Sequence, residues 1–124
     1  MRFCWVILIF SPSSEAAGMI MYYPNYSTWS AAPGLCLEEL YVVSEYRHLG
    51  YARMLMEAMT NAAVKLGCTK IDWHCYSNNA RALRFYEKLG AKKIENWCIL
   101  KVDEERLKRL NVQEGWTWPS GRSE

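Results

Sequence analysis

The chain has 124 residues, of which 51% are apolar and 23% charged, and its formal net charge is +2. That length supports one domain with a modest core, and that composition reads as globular rather than disordered. So small a net charge gives no argument for nucleic acid or an acidic membrane surface as a partner.

In chain order, FCWVILIF at residues 3–10 follows a basic residue and precedes small polar ones, which imitates a secretory signal. The run is too short to span a bilayer. It is rich in β-branched and aromatic residues, so a buried strand is the favoured reading. SPSSE is a polar turn, and AAGMIMYY is a second strand that forms a hairpin with the first. PNYSTWSAAPG reads as a loop, and CLEELYVVS as a third strand whose alternation breaks at Glu38 and Glu39. Two adjacent carboxylates place one on each face of a regular strand, so one faces the buried side unless a bulge intervenes.

Next, Met54, Leu55, Ala58, Met59, Ala62 and Leu66 recur at helical spacing and predict an amphipathic helix from Gly50 to Leu66, closed by Gly67. TKIDWHCY is a strand. SNNARALRFYEKLG is a helix capped by Ser77, Asn78 or Asn79 and stopped at Gly90. KKIENWCILKV is strand material, and DEERLKRL is a short helix capped by Asp103, with acids first and bases last as the helix dipole prefers. The expected order is β-β-β-α-β-α-β-α, an α+β (α/β) fold with a mixed central sheet flanked by helices. Residues 1–110 make the domain, and 111–124 are a polar tail expected to be partly disordered.

Cys4, Cys36, Cys68, Cys75 and Cys98 are odd in number and widely spaced, with no C-x-x-C pair. This argues against a disulfide framework or a zinc site and for small buried hydrophobes in a reducing compartment. No metal-ligand set can be assembled. The segment YRHLGYARML at Tyr46–Leu55 offers more chemistry. A strand, a short loop holding Gly50 and Ala52, and a helix start leave backbone N–H groups unpaired at the positive end of a dipole. Gly50 and Ala52 would let a bulky phosphate approach, and Arg47 would add charge. A P-loop is excluded because no G-K-[ST] follows, and a dinucleotide fingerprint because G-x-G-x-x-G is absent.

The run ELYVVSEYRHLGYARMLM, followed about thirty residues later by SNNARALRFYEKLGAKK, resembles the two signatures of the GNAT acyl-CoA-dependent N-acetyltransferases. Arg47, Gly50 and Ala52 match that family's Arg/Gln-x-x-Gly-x-Gly/Ala pattern. Within the family, GMIMYYPNYSTW, LEELYV and WCILKVDEERL look most like the diamine (spermidine/spermine) and thialysine acetyltransferases.

The resemblance implies direct acetyl transfer from acetyl-CoA, as cosubstrate, to a small polyamine or amino-acid-like amine. It implies CoA contacts at Leu40, Tyr41, Val42, Arg47, His48, Leu49, Gly50, Tyr51, Ala52, Arg53, Asn79 and Ala82. It implies Glu38 as the base that takes the amine proton, with Glu39 and Asp72 as further amine contacts, and Tyr86 as the acid that serves the leaving thiolate. A cytoplasmic homodimer is the expected assembly. The resemblance also implies that the chain lacks a strand and two helices that precede the first strand in full family members and wall the acceptor groove. Two alternatives stay open: a catalytically impaired CoA-binding or dimerisation module, and a protein N-terminal or lysine acetyltransferase.

Overall fold

A computed structural model of the chain describes residues 3–111. The β-branched and aromatic run at the start forms β1 (Trp5–Phe10), which pairs antiparallel with β2 (Ala16–Ser27). The turn between them is held by Ser11, whose hydroxyl lies 2.9 Å from that of Ser13 and accepts from the Glu15 N–H at 3.2 Å. β2 then pairs antiparallel with β3 (Ala32–Val42), and β3 pairs parallel with β4 (Ile71–Asp72), giving the sheet order β1-β2-β3-β4.

The expected loop PNYSTWSAAPG is mostly strand. Pro24–Ser27 extend β2 and Ala32–Leu35 pair back onto them, leaving a short turn in which Ala31 takes φ +50°. Proline is tolerated here because β1 pairs β2 only as far as Tyr22, so Pro24 sits beyond the end of that ladder. Along β3, Met21 faces Glu39 but Tyr22 faces Leu37, so Glu38 is the extra residue of a β-bulge. Both carboxylates are exposed as a result.

α1 (Tyr51–Lys65) lies against β1, β2 and β3. Its buried stripe is Leu55, Met56, Met59 and Ala63, packed with Ile20, Tyr22, Leu35 and Leu37 as the core. The stripe is rotated from the one the spacing predicts, since Met54 and Leu66 are exposed and Met56 and Ala63 are not. The helix ends in a Schellman motif: the Cys68 N–H donates to the Ala63 carbonyl and the Gly67 N–H to that of Val64. Burying one Leu or Met side chain of that stripe stabilises the fold by roughly 1.5–3 kcal/mol.

The strand expected from TKIDWHCY is reduced to the two residues of β4. Its ladder stops at Cys36, two residues before the bulge at Glu38 bends β3. From Leu37 onward, the edge of β3 on that side has no strand beside it among the described residues. α2 (Ala80–Lys88) starts where Asn79 Oδ1 accepts from the Ala82 N–H at 3.1 Å, so Asn79 is the cap.

The structure divides into two compact units, Met1–Tyr86 and Glu87–Glu124. In the second, α3 (Glu104–Leu110) is capped as expected, with Asp103 Oδ1 accepting from the Arg106 N–H at 2.9 Å. KKIENWCILKV forms no strand among the described residues, which corrects the expected element order. A strand exists only as a paired element, and this run leaves Trp97 and Leu100 72% and 89% exposed. The expected tail from 112 onward lies outside the described residues. Of the five cysteines, all free, Cys36 is buried, Cys4, Cys68 and Cys75 are half-buried, and Cys98 is exposed, so burial explains them unevenly. No helix among the described residues is long and apolar enough to cross a membrane.

Candidate active site

A cavity of about 440 Å³ opens within the first unit, at the end of β3 and the start of α1. That size lies within the usual range for small-molecule sites. Its strand wall is Leu40, Tyr41 and Val42, on the β3 edge that β4 leaves unpaired. A free strand edge presents main-chain donors and acceptors to any extended ligand.

The loop wall comes from the 3-10 turn Ser44–Tyr46 and the residues after it. Tyr46 anchors this turn by donating its hydroxyl to Glu15 at 3.0 Å and by packing edge-on against Tyr51. Arg47 Nε donates to the Val42 carbonyl at 2.9 Å, and its guanidinium lies 5.7 Å from the centre of the Tyr41 ring. His48 and Gly50 both take positive φ, +65° and +89°, which turns the chain sharply into α1. A Cβ on Gly50 would meet nothing closer than Met54 Cε at 4.0 Å. The glycine is therefore required by its backbone conformation, not by crowding.

Beyond it, the first N–H groups of α1, at Tyr51, Ala52 and Arg53, have no intrahelical partner. No side chain caps this end, so the donors and the positive dipole face the cavity. Gly50, Tyr51, Ala52 and Arg53 all line it.

α2 supplies the remaining wall with Asn79, Arg81, Ala82, Phe85 and Tyr86. Arg81 Nη2 donates to His48 Nε2 at 2.6 Å. Tyr86 is half-buried, its ring edge-on to Trp73 at 5.0 Å between centres and close to Phe85. Burial pushes its phenol above the ordinary value, and charge on Cys75 adds to the shift. Tyr86 therefore keeps its proton through neutral and mildly alkaline pH.

Charge decides what this cavity suits. Three arginines and a helix start line it, and no carboxylate does. Such a lining fits an anion, and the β3 edge beside it offers main-chain hydrogen bonds to an extended ligand. A second hollow of about 260 Å³ in the second unit mixes Asp103 and Glu105 with Lys101, Arg106 and Arg109. Its charges are already paired in part, with Arg109 2.7 Å from Glu105.

Of the residues expected to hold CoA, eleven of twelve line the larger cavity. Leu49 is the exception, 62% exposed and outside it. Glu38 and Glu39 stand on the bulged stretch of β3 next to Leu40 but do not line it. Asp72 also lies outside, and both of its oxygens are engaged: Oδ2 accepts from Lys70 Nζ at 2.6 Å and Oδ1 from Asn25 Nδ2 at 3.1 Å. This arrangement ties β2 to β4, and it leaves Asp72 partly exposed with an acceptor position free on each oxygen. His48 is exposed and lies against the Arg81 guanidinium. Tyr46, Arg81 and Phe85 line the cavity without having been singled out. Arg81 alone carried a signal, being a basic residue two positions after the Asn79 cap.

Residues 2–91 match the model of the Acetyltransferase (GNAT) family. The chain is 30% identical over 95 residues to an L-ornithine N5-acetyltransferase of Arabidopsis thaliana, covering 77% of this chain and 42% of that protein. It is 30% identical over 115 residues to a thialysine N-epsilon-acetyltransferase of Bos taurus, covering 86% and 67%. It therefore spans less than half the length of the first relative and about two thirds of the second. An integron cassette protein of V. cholerae superposes with a TM-score of 0.81 at 23% identity, over 88% of this chain and 67% of that one. At that identity the likeness speaks for the fold alone.

Proposed function

The chain belongs to the acetyltransferase (GNAT) family, and on that premise we propose that it moves the acetyl group of acetyl-CoA onto a small amine of the diamine or amino-acid type. The observation that carries this reading is the carboxylate-free cavity, with three arginines and the start of α1 set beside the unpaired edge of β3. The relatives named for ornithine and thialysine support an amine that carries a second polar group.

The α1 N–H groups and Arg47 hold the pyrophosphate of the donor. The backbone of Leu40–Val42 pairs with its amide-bearing arm and orients the thioester carbonyl. A primary amine has a pKa of about 10.4, so well under about 1% is neutral at pH 7. Leaving it protonated adds about 4–5 kcal/mol to the barrier. Glu38, displaced outward by the bulge, accepts that proton directly or through water, and Glu39 holds the amine's second positive group. Tyr86, with its proton retained, returns one to the leaving thiolate, whose conjugate thiol has an ordinary pKa of about 8.5.

Free-thiol release with thialysine, ornithine, spermidine and lysine tests the reaction. Turnover is expected to rise from neutral toward mildly alkaline pH as more of the amine becomes neutral. If acetyl-CoA raises the melting temperature but no amine is acetylated, the chain is a CoA-binding module instead. Light scattering across a concentration series decides the homodimer that the family likeness suggests.

A further inference from the structure

The three cavity arginines are not equivalent. Arg47 commits its Nε to the Val42 carbonyl and lies beside the Tyr41 ring, which leaves only its terminal nitrogens for the pyrophosphate. Arg53 pairs with Glu57 at 3.2 Å along α1. Arg81 has no carboxylate partner among the described residues, and its contact is with His48, at 2.6 Å to Nε2 and 3.5 Å to Nδ1. An arginine can only donate, so His48 is the acceptor in this contact. A neutral ring nitrogen is a weaker partner for a guanidinium than a phosphate, which takes two parallel hydrogen bonds from the fork.

The donor proposed above carries anions of two kinds. Its pyrophosphate is a bridging diester, matched by the α1 start. Its ribose also bears a 3′-phosphomonoester, a separate group whose second pKa is about 6 and which is therefore nearly dianionic at neutral pH. Arg81 comes from a different element, α2, and reaches across to the loop that leads into α1.

Resting on the acetyl-CoA reading, we propose that Arg81 reads the 3′-phosphate of CoA and makes this chain discriminate CoA from 3′-dephospho-CoA. His48 is a positioning residue: it accepts from Arg81 before the ligand arrives and releases the guanidinium to the phosphate.

The test is calorimetric titration of the full chain with CoA and with 3′-dephospho-CoA. Wild type binds CoA about 10–100-fold more tightly, the usual worth of a charge-assisted pair. In Arg81→Gln that ratio falls to within about threefold, and Arg81→Lys, which keeps the charge but not the fork, keeps part of it. His48→Ala lowers the ratio, and His48→Gln, which restores an acceptor, recovers it. The ratio is unaffected by a general loss of packing, which weakens both ligands alike. Retention of the wild-type ratio in Arg81→Gln overturns this inference and leaves the acetyl-CoA reading standing. Failure of the wild-type chain to bind either ligand overturns both.

Discussion

At the scale of single residues, two tyrosines make opposite demands on experiment. Tyr86 lines the cavity, and its hydroxyl is the group the proposed mechanism needs. Tyr86→Phe keeps the ring against Trp73, so it should lower kcat by about 100-fold, within the range for general acids, with little change in melting temperature. An unchanged rate would remove Tyr86 from the chemistry. Tyr23 lies outside the cavity, and its phenol is pushed up to about 12, chiefly by its hydrogen bond with the Cys36 side chain, then by burial, and then by charge on Cys36, Glu38 and Asp72. An unfolded tyrosine titrates at about 10. Its contribution is therefore complete below about pH 10 and is lost as pH rises from about 10 to about 12, because the unfolded chain gives up its proton first. Urea midpoints measured over that window should fall with pH, and Tyr23→Phe should flatten the fall.

At the scale of elements, Gly18 shows how tightly the sheet fixes the site. It pairs with Val42, and a Cβ there would sit 2.7 Å from the Tyr41 carbonyl oxygen and 3.3 Å from Val42 Cα. Both are backbone atoms, so they give way only by moving the strand. Gly18→Ala should destabilise by roughly 1–3 kcal/mol and weaken acetyl-CoA binding in the same variant, by thermal melting and titration. The elements themselves were unevenly legible. The Tyr51–Lys65 helix and its Gly67 stop were readable because periodicity and a C-terminal glycine are local signals. The extension of β2 and β3 through Pro24 and Pro33 was not, because it depends on where the neighbouring ladder ends. The missing strand in KKIENWCILKV failed for a related reason, since an apolar run does not encode its own partner. At the site, the Asn79 cap was legible from local spacing, whereas the loop residues were legible only through the family resemblance of the two linked motifs. Arg81 and His48 were not recognised as a pair, because 33 positions separate them and only the fold brings them together.

At the scale of the whole molecule, the sheet is asymmetric. α1 covers the side carrying Ile20 and Tyr22, whereas the alternate row on β1 leaves Val6 and Leu8 46% and 53% exposed. Leu8 faces Met19 and Val6 faces Met21 across the ladder, so the apolar strip continues onto β2. Among the described residues β1 is also an edge strand. Exposed apolar rows on edges promote self-association, so Leu8→Lys should lower the light scattered by concentrated solutions, with no loss of melting cooperativity. The bulge at Glu38 has a wider consequence. It separates a stretch of β3 that would meet its ligand through main-chain atoms from a pair of carboxylates that would meet theirs through side chains. Recognition by main chain is indifferent to residue identity, so Leu40–Val42 can drift in sequence while the donor half persists. On the proposed reading, the choice of amine would then fall to a few exchangeable side chains, and new acceptors could be acquired there without rebuilding the rest.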